Sequence, residues 1–333
     1  MSQKTFKAIV VTEGKDNAFV RQITERSLNE LPQGEVLVRV KYSSVNFKDV
    51  LSATGNRGVT RKYPHTPGID AAGIVEESLS SAFAAGDEVI VTSYDLGMNT
   101  SGGFGQYIRV PADWVVKKPA NLSLRESMVY GTAGFTAALS VYKLFGSGIT
   151  PDQGPVLVSG ATGGVGSIAV SILAKEKYEV AAVNGVVDEK DYLLKLGAKT
   201  VISIEEATDT SGRPLQKGLW AGAIDTLGGP ILATTLKSTL YGATVTCCGN
   251  AGSHDLPTNV YPFILRAVTL IGIDSQNCPM PTRLKVWQKI ASDWKIDNLE
   301  QLTTEIPLDG LNDRIEMILE RKHKGRTLVR LPE

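Results

Sequence analysis

The run "VSGATGGVGS", residues 158–167, limits what this chain can fold into more than any other stretch. It ends the apolar run "PVLVSG" (155–160) and opens the amphipathic pattern "VGSIAVSILAKEKY" (165–178). Gly160 lets the chain turn sharply, Gly163 permits close approach of a phosphate, and Gly166 lets the helix pack on the strand. A helix starting there offers unpaired N–H groups and a positive dipole end to an anion. A glycine triplet alone is weak evidence, but its strand-to-helix context is what dinucleotide binding requires. Further alternations follow: strand "YEVAAVN" (178–184), helix "DEKDYLLKLG" (188–197) and strand "KTVIS" (199–203). Strand "WAGAIDTLGG" (220–229), helix "PILATTLKSTL" (230–240) and strands "GATVTCCG" (242–249) and "VTLIGID" (268–274) complete the pattern. Apolar strands alternating with amphipathic helices imply a parallel sheet covered on both faces. Residues 121–276 therefore read as a doubly wound α/β domain.

Residues 1–120 have a different character. "KAIVV", "EVLVRVKYSSVN", "AAGIVEES" and "GDEVIVTSY" are short strand patterns set apart by Gly, Pro and Asp. This part is β-rich and barrel-like, with no helix-long period. The change comes at "NLSLRESMVYGTAGFTAALSVYKLF" (121–145), where Ser123 and Glu126 have capping-box spacing at a helix start. The tail adds a helix in "PMPTRLKVWQKIASDW" and a last strand in "GRTLVRL", expected to pair back with the β-rich part. A chain of 333 residues suits two domains, here 1–120 with 277–333, and 121–276.

Lys plus Arg and Asp plus Glu are 35 each, so no basic excess points to nucleic acid or a membrane surface. Three cysteines without CxxC spacing fit free thiols in a reducing compartment. No apolar run approaches the ~20 residues of a membrane span, and "MSQKTFKAIVV" lacks a signal-peptide core. The expectation is a cytoplasmic protein whose partner is a small molecule.

In order along the chain stand "VNFKDVLSATG", "PGIDAAGIV", "GDEVI", "MVYGTAGFTAALSV", "SGATGGVGSIAV", "WAGAIDTLGG", "YPFILRAVTLIGIDS" and "GRTLV". The chain thereby resembles a medium-chain dehydrogenase/reductase of the zinc-free quinone-oxidoreductase branch, and within it the acrylyl-CoA reductase and quinone oxidoreductase subfamily. The resemblance implies a GroES-like catalytic domain plus a Rossmann domain, and homodimers paired through Rossmann edge strands, with "VTLIGID" as the candidate. It implies hydride transfer from NAD(P)H to the β carbon of an activated double bond, as in a 2-enoyl-CoA such as acryloyl-CoA. Reduction of quinones or small enones and aldehydes is the alternative within enzymes, and a non-enzymatic structural or RNA-binding role the alternative outside them. In the zinc enzymes of this superfamily a GHE motif supplies a ligand histidine; here Ile69 holds that position and Asp70 the acid's. His65 precedes the motif and no four-cysteine lobe exists, so no metal is expected.

The resemblance also implies roles for particular residues. "NFKD" would face the nicotinamide, making Asn46 and Lys48 the catalytic candidates, although Asn46 also suits a turn cap and Lys48 a solvated surface. Phe47 stands where relatives commonly carry tyrosine, so it keeps an aromatic face without an acid. Asp49 and Asp70 read as loop holders that accept backbone N–H bonds. Cofactor contacts carried over by position are Phe47, Thr132, Thr162, Gly163, Gly164, Val165, Asn184, Gly185, Val186, Ile204, Asn250, Ile264 and Ser275. Arg57, Arg61 and Lys62 are candidates for the phosphates of a CoA ester, or form an ordinary charged loop. Asn184 ends the second strand where an NAD enzyme carries a ribose-binding acid. The resemblance favours NADP(H), but the arginines expected at Val186 or Val187 and near Ile204 are missing, which admits NAD(H). Lys190 and Lys199 are the cations left to replace them, while Asp188 would oppose the phosphate.

Overall fold

The computed structural model describes residues 4–185 and 189–333. The chain divides into two compact units, Met1–Thr132 with Gln276–Ala291 and Asn298–Glu333, and Ala133–Ser275 with Ser292–Asp297. The division thus falls at residue 132, inside the first long helix, rather than at 120, and a short piece of the tail joins the second unit.

The first unit opens with β1 (Thr5–Glu13) and β2 (Phe19–Ser27), an antiparallel ribbon. β3 (Val36–Val45) follows, then the seven-residue helix α1 (Phe47–Ala53), which the strand-like sequence pattern does not announce. β4 (Asp70–Ser78), β5 (Glu88–Thr92), β6 (Tyr107–Val110) and β7 (Val115–Lys117) come next. Val38, Val40, Val89, Val91 and Ile108 are buried together in one core, as alternation of β-branched residues predicts. α2 (Leu124–Phe145) begins with the expected reciprocal cap, the Ser123 N–H donating to Glu126 Oε2 at 2.8 Å and the Glu126 N–H to Ser123 Oγ at 3.0 Å. It is not continuous, because Gly131 breaks it with φ 51° and ψ −154°.

The second unit is built on β8 (Val156–Val158), α3 (Gly164–Lys175), β9 (Val180–Asn184), α4 (Lys190–Lys195) and β10 (Thr200–Ser203). β11 (Trp220–Asp225), α5 (Gly229–Lys237), β12 (Thr239–Cys247), α6 (Tyr261–Arg266) and β13 (Thr269–Gly272) follow. The six strands lie in the order β10-β9-β8-β11-β12-β13 and all pair in parallel. Strand order reverses between β8 and β11, the switch point at which doubly wound sheets bind ligands. Leu157, Val183, Ala223 and Val245 bury one face in a common core. The connection from β10 to β11, residues 204–219, contains no helix.

The tail supplies α7 (Met280–Ile290), β14 (Thr303–Pro307), α8 (Leu311–Leu319) and β15 (Arg326–Arg330). β15 pairs antiparallel with β3, completing a sheet ordered β14-β15-β3-β4-β5-β7, with β6 also on β3. Among the described residues no helix is long and apolar enough to cross a membrane.

Candidate functional site

The glycine turn is a cradle that side chains would fill. Gly160 has φ 59°, and a Cβ on it would lie 2.2 Å from Thr226 Oγ1. A Cβ on Gly166 would lie 2.3 Å from the Gly160 carbonyl oxygen, so only glycine lets α3 start this close to β8. Gly163 donates to that carbonyl at 3.0 Å and caps α3 without a side chain. The first-turn N–H groups of α3, at Gly164 and Val165, are thus left to an anion, which is the shape and charge a pyrophosphate needs.

The neighbouring strand ends complete this edge of the sheet. Asn184 ends β9 and is 8% exposed, opposite Ser203 at the end of β10. A Cβ on Gly185 would lie 2.7 Å from Ile204 Cδ1, so the two positions abut and neither brings a charge. Asp225, at the end of β11, accepts Ser159 Oγ–H at 2.7 Å and the Gly228 N–H at 2.8 Å, which ties the two central strand ends together. Thr162 to Val165, Asn184, Gly185 and Ile204 therefore gather at one edge. Asn250 follows β12 with its Cα 3.5 Å from where a Gly228 Cβ would be. Ser275 accepts a hydrogen bond from Thr136 Oγ1 at 2.7 Å, and Ile264 is 67% exposed on α6. Val186, Val187 and Asp188 lie outside the described residues. Lys199 is no substitute for the missing arginines. Its N–H pairs with Val180 at the start of β9, at the opposite edge of the sheet, roughly 13 Å along the strand from Ser203.

In the first unit a buried polar knot is built around Asp70. Asp70 is fully buried and accepts from Ser44 Oγ at 2.6 Å, Asn46 Nδ2 at 2.7 Å, the Thr132 N–H at 2.9 Å and Thr132 Oγ1 at 2.6 Å. The break at Gly131 makes this approach feasible: a Cβ there would sit 2.4 Å from both Asp70 Oδ2 and Ser44 Oγ. Arg326, 2% exposed, donates to Ser44 Oγ at 2.9 Å, to the Val129 carbonyl at 2.9 Å and to the Val45 carbonyl at 3.2 Å. Its guanidinium lies 3.9 Å from Asp70 Oδ2. Sequence reasoning missed Arg326, whose signal, the arginine of "GRTLV", is 282 residues from Ser44.

Asp49 holds loops as expected, accepting the N–H groups of Asn46 at 2.7 Å, Gly68 at 3.1 Å and Ile69 at 2.8 Å. Burial, and then the charge of Asp70, push its carboxyl up to about 7. Asn46 precedes α1 and commits its amide to Asp70. Phe47 is 56% exposed, and the half-buried Lys48 donates to Gln276 Oε1. Arg57 pairs with Glu13 and lies over the Tyr63 ring at 5.1 Å, while Arg61 and Lys62 are exposed beside it in the same loop. Among the described residues no group of three or more His, Cys, Asp or Glu could hold a metal ion.

Comparison with known proteins places this geometry. Residues 32–120 match the alcohol dehydrogenase GroES-like domain and residues 164–292 the zinc-binding dehydrogenase domain. Acrylyl-CoA reductase AcuI of Ruegeria pomeroyi is 46% identical over 97% of this chain and 98% of its own. YhfP of Bacillus subtilis, which bears the name of a quinone oxidoreductase, is 46% identical over 98% of this chain and 99% of its own. The crystal structure of YhfP with NAD bound gives a TM-score of 0.96, covering 98% of this chain and 100% of that one. The YhdH oxidoreductase of Salmonella enterica in complex with NADP is 43% identical, with a TM-score of 0.95 over 98% of this chain and 100% of that one.

Proposed function

The chain belongs to the medium-chain dehydrogenase/reductase family, in the branch that holds acrylyl-CoA reductases and quinone oxidoreductases, and from that premise we propose that it reduces the activated double bond of a short 2-enoyl-CoA such as acryloyl-CoA. It is an NAD(P)H-dependent oxidoreductase. The observation that carries the substrate reading is the end-to-end match with AcuI. The match to YhfP supports the second reading, reduction of a quinone or small enone.

The reduced nicotinamide, when bound, supplies the hydride that goes to the β carbon. The residues of the chain do the rest. The Gly163–Val165 backbone would hold the pyrophosphate, and Phe47 offers an apolar face that cannot give up a proton. Negative charge then moves to the thioester oxygen, where a fixed donor is worth most. Lys48 is our candidate for that donor, and Asn46 acts as a positioning residue because its amide is spent on Asp70. Arg61 and Lys62 remain as loop cations for the phosphates of the CoA ester.

For the cofactor, the abutting Gly185 and Ile204 offer no charge to a 2′-phosphate, while a buried neutral Asn184 does not repel one. A charge-assisted phosphate contact contributes about 1.5–3 kcal/mol, so the preference for NADPH should be weak and NADH should serve. β13 is the outer strand of its sheet and the place for homodimer pairing, in a cytoplasmic enzyme.

Steady-state oxidation of NADH and NADPH with acryloyl-CoA, crotonyl-CoA and a simple quinone tests these readings. We expect kcat/KM for acryloyl-CoA to exceed that for the quinone at least tenfold. The reverse order would overturn the enoyl-CoA reading. A preference for NADPH above about a hundredfold, ~2.7 kcal/mol, would show that another cation has taken the arginines' place.

A further inference from the structure

Parallel sheets need both faces covered, and here one face is covered incompletely. The connection between β10 and β11 crosses the sheet without a helix, leaving a cavity of about 350 Å³ beside α5. Its floor is apolar, made by Leu157, Ile202, Ala207 and Leu219, with Trp220 at one end. It is not the cofactor edge. Leu157 lies within β8, and Trp220 is the first residue of β11, so the cavity runs along the face of the sheet toward the amino ends of the strands.

The polar groups around it select a ligand by what they have left to give. The hydroxyl protons of Thr208, Thr234, Thr235 and Ser238 are spent on backbone carbonyls at 2.6–2.8 Å. Both lining carboxylates are spent too: Asp209 accepts Ser211 Oγ at 2.6 Å and Lys237 Nζ at 3.2 Å, and Glu206 accepts the Ser203 N–H at 2.7 Å. Three lining side chains keep a donor without a protein acceptor among the described residues, the Trp220 indole N–H, the Lys217 ammonium and the Thr210 hydroxyl. An apolar floor with a cation and an N–H at the rim fits an amphipathic monocarboxylate, with its carbon chain on Leu157 and Ile202 and its head group at Lys217. Cavities of this size and character commonly hold small ligands. We propose that this cavity is a second binding site, separate from the dinucleotide edge, for a small monocarboxylate with an apolar body.

Octanoate is the probe. Calorimetric titration of the whole protein should show saturable binding, with a change in tryptophan fluorescence. Ala207→Phe, which fills the floor, should abolish it, and Lys217→Gln, an exposed change that leaves the core alone, should weaken it five- to tenfold. NADH affinity of both variants should stay within twofold of the parent, which separates this site from the cofactor edge and from the fate of the enoyl-CoA reading. The proposal is overturned if octanoate does not bind, if neither variant weakens it, or if 1-octanol binds as tightly as octanoate.

Discussion

The glycine turn of the second unit and the Asp70 knot of the first are both tight and built around glycine, yet they are made in opposite ways. At the turn the working groups are backbone N–H groups and a carbonyl within seven consecutive residues, Gly160 to Gly166. At the knot they are side chains brought from β3, β4, α2 and β15, with Gly131 as the gap that lets them meet. A site made of backbone tolerates changes around it but not at its glycines. A site made of distant side chains stands or falls with its charge balance.

The largest expected effect tests that charge balance. Arg326→Met leaves the buried Asp70 carboxylate without its cation and should cost about 3–5 kcal/mol in denaturant unfolding, whereas a loss under ~1 kcal/mol would mean that the hydroxyl and amide donors suffice alone. Gly166→Ala drives a methyl to within 2.3 Å of the Gly160 carbonyl. NADH binding by fluorescence titration should weaken about a hundredfold, ~2.7 kcal/mol, with a smaller loss of unfolding free energy. Equal losses would erase the distinction between the two regions.

The next effect is one of pH. Because the Asp49 carboxyl is raised from 3.8 to about 7, the folded protein binds a proton there that the unfolded chain has already lost. Stability from this group is therefore complete below pH 3.8 and is lost as pH rises through about 7. Between pH 5 and 8 the parent should lose about 2 kcal/mol more than Asp49→Asn does in parallel unfolding curves, and identical slopes would refute the buried proton. The smallest effect belongs to the dinucleotide edge. Ile204→Arg restores one cation and should shift the NADPH to NADH affinity ratio about tenfold, ~1.4 kcal/mol, falling with added salt. An unchanged ratio would place the 2′-hydroxyl away from Ile204.

The dinucleotide edge was legible because each of its requirements is short in sequence. Strand, turn and helix lie in one run, and strand ends such as Asn184 can be counted from Gly160. The helical pattern of 121–145 was equally plain, but its break was not. Gly131 reads as one small residue among several, and only its φ of 51° and the approach of Asp70 and Ser44 explain why it must be glycine. Asn46 could be read from sequence as a turn cap, while the helix it precedes and the commitment of its amide to Asp70 could not. Lys199 failed for the same reason, since closeness in sequence to Ile204 does not say at which edge of the sheet a lysine lies.

By itself the sequence determined the class of fold and the glycine turn between strand and helix, since these rest on local periodicity and on residue types at counted positions. Tertiary structure alone decided that Arg326 lies beside Asp70, that burial raises the Asp49 carboxyl and that a cavity lies under the helix-free connection. Burial and long-range pairing set the free energy of a charge or the filling of a space, and neither is carried by any single stretch of chain.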